Sequence, residues 1–463
     1  MSKLELDDTI AAIATPLGEG GIAVIRVSGP GVFDVVGPFF SSKGQHELRN
    51  VPANTIHWGK ITDREGQLVD QVLLSVFHAP NSYTGQDVIE ISCHGGLAVT
   101  KKALGLLLEN GARPAEPGEF TRRAFLAGKL DLTQAEAVLD LIHAKSTRSL
   151  NMALHQLTGS LSRKFKTLKE ALMKLLAFME AYIDFPDENL EIDVSKGIGK
   201  QFETIQEQMQ KLITGFGKNQ LIREGILITL VGKPNVGKSS LFNTLLERDR
   251  ALVSDLPHTT RDHLEEPLEI QGFFVRLRDT AGLVAVSGHP LDQLGMKQTL
   301  AAIKESRLIL FLADGSIPLD QEDRHVFEKI PEGKTVFTLI NKADLPMKIS
   351  TQEIMDLTGS KDWLVVSAGK REGIKELEQK IAAFLEKETG EEGEQITKLR
   401  HKNALEKALE ALRHAEKAFY DKMSFEFVTI DLKVALETLK ELTGEVYSED
   451  LLDVIFSEFC IGK

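Results

Sequence analysis

One eight-residue run has the composition of a phosphate-binding loop. Residues 232–239 read Gly-Lys-Pro-Asn-Val-Gly-Lys-Ser, which fits the spacing G-x-x-x-x-G-K-[ST]. In such a loop the glycines let backbone N–H groups turn toward phosphates, Lys238 supplies a cation to the β- and γ-phosphates, and the Ser239 hydroxyl can ligate Mg²⁺. An apolar run over residues 226–231 precedes it and a helical run follows from Ser240. The pattern therefore predicts a nucleoside triphosphate and Mg²⁺ as ligands.

Three further segments follow in the order expected of a GTPase domain. Residues 279–282 read Asp-Thr-Ala-Gly, where a carboxylate can hold the Mg²⁺ shell and the Gly282 N–H can sense a γ-phosphate. Residues 341–344 read Asn-Lys-Ala-Asp, and the Asp344 carboxylate can accept hydrogen bonds from N1–H and the 2-amino group of guanine. Adenine has neither donor, so GTP is favoured over ATP. Ser367-Ala368 can present backbone N–H to the guanine carbonyl oxygen.

The position after the Asp-Thr-Ala-Gly segment departs from the Ras-like pattern. Leu283 stands where a Gln would position the attacking water. The sequence therefore predicts that hydrolysis depends on another way of organising that water.

The pattern of apolar and polar residues along the chain predicts a multidomain α/β plus α protein. Apolar strands alternate with helical segments from residue 222 to 386, which is typical of a parallel sheet with crossover helices. Short β-rich runs with Gly and Pro between them occupy the first part of the chain, with one helical stretch over residues 97–110. A long helix is predicted from apolar residues three or four apart, ending at Pro186. This stripe is Leu161, Phe165, Leu168, Leu172, Leu175, Met179 and Ile183.

Two apolar stripes after residue 386 indicate that helical structure returns there. Neither helical half has a partner for its apolar face within its own segment, so we expect the two halves to pack on each other. The predicted domains are residues 1–122 (N-terminal α/β), 123–221 (first helical part), 222–386 (inserted Ras-like P-loop GTPase domain) and 387–463 (second helical part).

Bulk composition narrows the class of protein. The 463 residues are 42% hydrophobic and 27% charged, as in ordinary globular proteins, and the length favours two to four domains. The formal net charge of −13 argues against a surface coated with phosphate-binding lysines, so any RNA contact must be local or shared with a partner. Two cysteines, no apolar run long enough to span a bilayer and no secretory start predict a cytoplasmic protein without a membrane segment.

Four segments outside the nucleotide motifs are long enough to be specific: residues 8–16 (DTIAAIATP), 80–85 (PNSYTG), 117–126 (PGEFTRRAFL) and 459–463 (FCIGK). They resemble the MnmE (TrmE) family of tRNA modification GTPases. The resemblance implies an N-terminal domain that binds 5-formyl-tetrahydrofolate or a related folate and forms a homodimer, and a helical domain split by the GTPase domain. It also implies joint action with the FAD-containing partner MnmG on carbon 5 of the wobble uridine of tRNA, giving aminomethyl or carboxymethylaminomethyl groups.

The same resemblance implies the ligand contacts. K⁺ would take the place of an arginine finger, held by Asn235, Ser254, Leu256 and Thr259, and Thr260 would join Ser239 on Mg²⁺. An ordinary switch loop without a second cation is the alternative. Folate contacts carried over by position are Arg26, Glu90, Lys129 and Lys463, for which plain salt bridges are the alternative. All residues expected to contact GTP are Asn235, Val236, Gly237, Lys238, Ser239, Ser240, Ser254, Thr259, Thr260, Asp279, Thr280, Ala281, Gly282, Asn341, Lys342, Asp344, Ser367 and Ala368.

Two residues are candidates for chemistry. Asp292 stands where the family has a Glu, which the resemblance implies activates the water, although an Asp also suits a helix N-cap. Cys460 is a candidate nucleophile toward carbon 6 of the pyrimidine, or else a small hydrophobic residue near the chain end.

Two rival functions use the same motifs. A ribosome-assembly or RNA-binding switch GTPase would normally carry a basic RNA-binding module, and the sequence shows none. A folate-dependent aminomethyl transferase acting alone would leave the GTPase motifs without a purpose.

Overall fold

The computed structural model describes residues 7–42, 47–184, 192–250, 265–280, 300–390 and 396–463. The chain divides into two compact units. The first unit comprises Met1–Ile142, His155–Met209 and Ala404–Lys463, and the second comprises His143–Leu154 and Gln210–Asn403. Pro186 and residues 251–264 and 281–299, on which several predictions fall, lie outside the described residues.

Strands and helices are labelled in chain order. The strands are β1 Ile10–Ile13, β2 Gly20–Ser28, β3 Phe40–Ser42, β4 Thr55–Thr62, β5 Leu68–Phe77, β6 Val88–Gly95, β7 Arg113–Pro114, β8 Ile226–Val231, β9 Glu265–Ile270, β10 Phe273–Asp279, β11 Leu308–Asp314, β12 Thr335–Asn341 and β13 Trp363–Val365. The helices are α1 Val32–Val36, α2 Leu97–Glu109, α3 Glu119–Leu126, α4 Leu132–Ile142, α5 Thr147–Leu157, α6 Ser160–Asp184, α7 Ile192–Glu224, α8 Lys238–Arg250, α9 Gln321–Glu328, α10 Thr351–Thr358, α11 Ile374–Thr389, α12 Leu399–Tyr420, α13 Phe425–Thr443 and α14 Glu449–Ser457.

The first unit contains a seven-stranded sheet in the order β3-β4-β5-β6-β2-β1-β7. Its pairs are antiparallel except β1 with β7. Alternate residues of β5 are buried, as expected for a sheet with one face on a core. The strand runs predicted at the start of the chain and the helix predicted at residues 97–110 are confirmed by β2, β5 and α2.

The long helix predicted before Pro186 is α6, and six of the seven apolar residues of its stripe are buried. Helices α6 and α13 pack together in the first unit, with the rings of Tyr182 and Phe425 5.9 Å apart and Lys433 Nζ 2.9 Å from Glu180 Oε1. These contacts confirm the predicted packing of the two helical halves on each other. The packing is favourable because it buries the apolar stripe of each helix.

The second unit contains a six-stranded sheet in the order β13-β12-β11-β8-β10-β9. All its pairs are parallel except β9 with β10. Every residue of β8 and β11 is buried, which explains their continuous apolar sequence. The loop after β8 therefore lies at the carboxyl end of an inner strand, where open α/β sheets bind ligands.

A short segment before the predicted GTPase domain also belongs to the second unit. Thr147 Oγ1 donates to Glu269 Oε1 at 2.7 Å, and the Arg148 guanidinium stacks 3.9 Å from the Phe273 ring centre. Arg148 also pairs with Glu386 at 3.0 Å. These contacts attach the start of α5 to the β9–β10 hairpin.

Among the helices in the described part of the chain, none has the length and apolar composition that crossing a membrane requires.

Candidate functional site

The loop between β8 and α8 has the backbone that a phosphate site requires. Asn235 and Gly237 have positive φ angles of 63° and 96°, which turn the peptide groups inward. A side chain at Gly237 would collide with the amide of Asn341, so glycine is required there. Helix α8 begins at Lys238 and directs its first N–H groups and positive dipole end toward the same place. This geometry fits the predicted anion site.

The Lys238 ammonium is held within the loop by backbone oxygens. Its Nζ donates to the carbonyls of Gly232 and Lys233, at 2.8 Å in both cases. Burial lowers the pKa of Lys238, and the charge of Asp279 partly opposes this shift. Neutral carbonyls fix the position of the ammonium without cancelling its charge, so the charge is available to a phosphate.

Two oxygen donors of the expected Mg²⁺ site are in contact. Ser239 Oγ donates to Asp279 Oδ2 at 2.9 Å, which joins the start of α8 to the end of β10. Thr280 follows, and its Oγ1 donates to the Leu230 carbonyl at 2.6 Å, which fixes the chain beyond β10. Hydroxyl and carboxylate oxygens suit Mg²⁺, which is usually completed by phosphate and water oxygens. The described residues contain no cluster of three or more His, Cys, Asp or Glu that would hold a metal alone.

Asn341 connects the phosphate loop to the loop after β13. Its Nδ2 donates to the Val236 carbonyl at 2.8 Å, and its Oδ1 accepts from the Ala368 N–H at 3.0 Å. Asn341 is 2% exposed, so both bonds are shielded from water. The Ala368 N–H, which is predicted to contact guanine, already donates to Asn341, so a contact with guanine would have to share this N–H.

The carboxylate of Asp344, the residue expected to bind guanine, is held by a neighbouring hydroxyl. Ser367 Oγ donates to Asp344 Oδ1 at 2.6 Å, and this hydrogen bond is the main reason why the Asp344 pKa is below its ordinary value. The carboxylate therefore remains an acceptor at neutral pH. Lys342 has a positive φ of 64°, and its Nζ lies 2.6 Å from Asp314 Oδ2. This ion pair fixes the turn that leads from β12 to Asp344.

Several predicted residues lie outside the described part of the chain. They are Ser254, Leu256, Thr259, Thr260, Ala281, Gly282 and Asp292. Of the four residues expected on K⁺, Asn235 is described, and its side chain is exposed. Ser240 is exposed in the first turn of α8.

Three of the four residues expected at a folate site lie together in the first unit. Arg26 and Glu90 are opposite each other on β2 and β6, with Arg26 Nε 2.8 Å from Glu90 Oε1. The Arg26 guanidinium lies 5.3 Å from the Tyr83 ring centre and 5.6 Å from that of Phe120. Burial lowers the pKa of Lys463, and the charge of Arg26 lowers it further, while Glu90 acts in the opposite direction.

The chain end reaches this same place. Arg26 donates to the Gly462 carbonyl at 3.1 Å, and the Phe120 N–H donates to the Lys463 carbonyl at 3.2 Å. Cys460 is exposed one turn before Lys463, whose N–H donates to the Cys460 carbonyl at 3.3 Å. The fourth residue, Lys129, has its aliphatic carbons close to Gly85, in the segment that carries Tyr83.

Lys233, the second residue of the phosphate loop, has two partners that the sequence does not predict. Lys233 Nζ lies 2.8 Å from Asp320 Oδ2 and 2.7 Å from Asp323 Oδ2. The only local signal for this contact is the Asp-x-x-Asp spacing at the start of α9, which predicts a capping box but gives no partner.

A parallel sheet whose inner strand leads into a phosphate loop, with a Ser–Asp oxygen pair and an Asn-Lys-x-Asp turn beside it, defines a P-loop GTPase. Comparison with known proteins gives the family. The model of the "MnmE helical domain" matches residues 132–460, and that of the "GTP-binding protein TrmE N-terminus" matches residues 9–129. The chain belongs to the MnmE (TrmE) family of tRNA modification GTPases.

Individual relatives agree with this. A tRNA modification GTPase MnmE from Carboxydothermus hydrogenoformans is 42% identical over 99% of this chain and 100% of its own length. The MnmE protein of Alkaliphilus metalliredigens is 41% identical over 99% of this chain and 100% of its own length. The G domain of the T. maritima FeoB iron transporter is 25% identical, covering 34% of this chain and 98% of that domain, with a TM-score of 0.27.

Proposed function

We propose that this chain is a K⁺-stimulated GTPase that acts in the cytoplasm on tRNA. With the FAD-containing partner MnmG it modifies carbon 5 of the wobble uridine, using a one-carbon unit from tetrahydrofolate. The observation that carries the GTPase part is the contact between Ser239 and Asp279 beside the Lys238 ammonium, because these groups can bind Mg²⁺ and the phosphates of a nucleoside triphosphate together. Family membership supports the tRNA part.

The residues of the nucleotide site divide the work of hydrolysis. Lys238 directs its charge at the β- and γ-phosphates, and the N–H groups at the start of α8 bind the same oxygens. Asp344 and Asn341 hold the guanine end of the nucleotide, which fixes the distance to the γ-phosphate. Ser239, Asp279 and Thr260 would hold Mg²⁺, which neutralises phosphate charge when bound.

Activation of the attacking water is assigned to groups other than a Gln. Leu283 has no hydrogen-bonding side chain, so we assign the role to Asp292, together with K⁺ held by Asn235 and its partners. Asn235 is exposed within the phosphate loop, which supports a role for its side chain in binding a cation. Single-turnover hydrolysis in K⁺ compared with Na⁺ tests the cation, because Na⁺ supplies the same charge with a smaller radius.

The first unit supports a folate site. Arg26 and Glu90 offer donors and an acceptor side by side, and the rings of Tyr83 and Phe120 lie against the same guanidinium. A folate has a carboxylate tail and a flat pterin with N–H donors, which suits such a mixture. Lys463, Lys129 and Cys460 would complete this site, with Cys460 as the nucleophile.

The same unit supports a homodimer. One face of its sheet exposes large apolar side chains on neighbouring strands, although apolar side chains normally lie within a core or an interface. They are Ile22, Ile56, Trp58 and Leu73. Trp58 and Leu73 are cross-strand neighbours on β4 and β5, so these two side chains form one apolar surface, and a second copy of this chain would cover it.

Mass spectrometry of wobble nucleosides from a strain that lacks this chain tests the proposed function. We expect the aminomethyl and carboxymethylaminomethyl uridines to disappear, and to return when the chain is supplied again. A matched control supplies the Lys238→Met variant, which lacks the phosphate-binding cation and should not restore the nucleosides. An unchanged nucleoside profile in the deletion strain would reject the tRNA reaction.

A further inference from the structure

The phosphate loop contains a second buried lysine that the mechanism above does not use. The Lys233 side chain is 7% exposed, and both its carboxylate partners belong to the N-terminal turn region of α9. Asp323, one of these partners, is 1% exposed. Lys233 and Asp323 thus form a buried ion pair beside a binding loop, whereas Asp320 is 54% exposed. Desolvation offsets much of the attraction within a buried pair, so stability alone is a weak reason for this one.

The aspartate pair is itself rigidly placed. Asp320 Oδ1 accepts from the N–H groups of Glu322 and Asp323, at 2.9 and 3.1 Å, and Asp323 Oδ2 accepts from the Asp320 N–H at 3.2 Å. This capping box fixes both carboxylates to the backbone of α9. Lys233 therefore binds to an anchor that has little freedom to move.

The backbone of Lys233 connects this anchor to the phosphate-binding cation. The Lys233 carbonyl accepts from Lys238 Nζ at 2.8 Å, while the Lys233 side chain is bound to α9. A chain of contacts thus runs from α9 through Lys233 to the ammonium of Lys238. Burial alone would lower the pKa of Lys233, but the hydrogen bonds to Asp320 and Asp323 outweigh it and raise the pKa, so the link stays charged at neutral pH.

We propose that Lys233 is a positioning residue for phosphate binding: anchored by Asp320 and Asp323, it fixes the carbonyl that directs the Lys238 ammonium at the β-phosphate. The inference rests on the proposed binding of guanine nucleotides at this loop. Its consequence is selective, because Lys238 acts on the β- and γ-phosphates. Loss of the anchor on Lys233 should weaken the binding of nucleotides that carry a β-phosphate and should not affect the binding of GMP.

Equilibrium competition of GDP and GMP for the loop tests this in the full-length chain. We expect Lys233→Met to weaken GDP about tenfold, the cost of one misplaced charge-assisted hydrogen bond, and to leave the GMP affinity within twofold. Lys233→Arg keeps the cation and should recover most of the GDP affinity. Asp323→Asn should also weaken GDP binding. The double variant should lose less GDP affinity than the two single losses added together, because both changes break one link.

A matched control comes from another lysine of the same unit. Lys334 Nζ is also held by backbone carbonyls, those of Lys304 and Ser306, but it precedes β12, at the end of the parallel sheet opposite to the phosphate loop. Lys334→Met should lower stability without changing the ratio of GDP to GMP affinity.

The proposed function and the positioning role of Lys233 would be rejected by different results. A wild-type chain that binds neither GDP nor GMP would reject the proposed function. Wild-type binding together with an equal loss of GDP and GMP in Lys233→Met and in Asp323→Asn, or with no loss in either variant, would overturn the positioning role alone. If Lys233→Met does not fold, Asp323→Asn gives the decisive ratio.

Discussion

Each compact unit contains a shielded cation at its candidate ligand site, but the two cations are held by different partners. In the second unit, Lys238 donates to two neutral carbonyl oxygens. In the first unit, Arg26 is paired with the carboxylate of Glu90 at 2.8 Å and donates to one carbonyl. One site therefore offers charge, and the other offers a balanced set of donors and acceptors.

The difference indicates what each site can bind. An ammonium held by carbonyls retains its attraction for a strongly anionic ligand such as a triphosphate. A guanidinium already paired with a carboxylate adds little net charge, so it suits a less strongly anionic ligand that supplies hydrogen-bond donors as well as carboxylates. The predictions below test this contrast.

The largest effect is expected at Lys238. Replacing it with Met removes two charge-assisted bonds to phosphate and should weaken GTP at least 100-fold, about 3 kcal/mol. Isothermal calorimetry measures this directly. Lys174→Met, which removes an exposed lysine of α6 in the other unit, is the control and should bind GTP like wild type. A loss below threefold in Lys238→Met would show that the cation does not act on phosphate.

A smaller effect is expected at Asp344. Asp344→Asn exchanges an acceptor for a donor, so GTP should bind about 30-fold more weakly and xanthosine triphosphate should gain affinity. Competition between the two nucleotides measures the change in preference. Asp356→Asn, on the surface of α10, removes the same charge from the same unit and should change neither. Unaltered GTP affinity in Asp344→Asn would mean that another group reads the base.

The smallest effect concerns stability in the first unit. Arg113 and Arg123 both donate to the buried Glu119. Burial raises the Glu119 pKa, but these bonds outweigh burial and hold it below the ordinary value of 4.5. The resulting stability is therefore present above pH 4.5 and is lost as the pH falls through the lower pKa of the folded state.

The Glu119→Gln variant removes the ionised carboxylate and so tests its contribution to stability. Because Arg113 lies in β7, which pairs with β1, the variant should destabilise β1 by about 1.5 kcal/mol at pH 7. The gap in opening free energy from wild type should shrink below pH 4.5. Hydrogen–deuterium exchange of the β1 peptide reports the local opening free energy at each pH. A gap that stayed constant as the pH fell below 4.5 and through the lower pKa of the folded state would contradict the assigned pairing.

The parts of the molecule that sequence predicted well are those whose signals are local. The strand–loop–helix around the phosphate loop follows from glycine spacing and an apolar run, and it is observed as β8 and α8. The apolar stripe of α6 likewise gives its buried face, because helical periodicity is a property of adjacent residues.

The parts that sequence could not give depend on distant partners. Lys233 and Asp320 are 87 residues apart, and their contact requires β8 and β11 to be neighbours in the sheet. Arg26 and Glu90 are 64 residues apart and meet only because β2 and β6 pair in one register. A shift of one residue would move Arg26 to the other face of the sheet. The Gly462 carbonyl joins them from 436 residues away.

The most direct test of the contrast between the sites is calorimetry of two ligands on two variants. Arg26→Ala should weaken 5-formyl-tetrahydrofolate about tenfold or more and leave GTP at wild-type affinity, because Arg26 and Lys238 belong to different compact units. Lys238→Met should show the reverse. If Arg26→Ala bound the folate like wild type, or if Lys238→Met lost folate and GTP together, the assignment of one ligand to each site would be wrong.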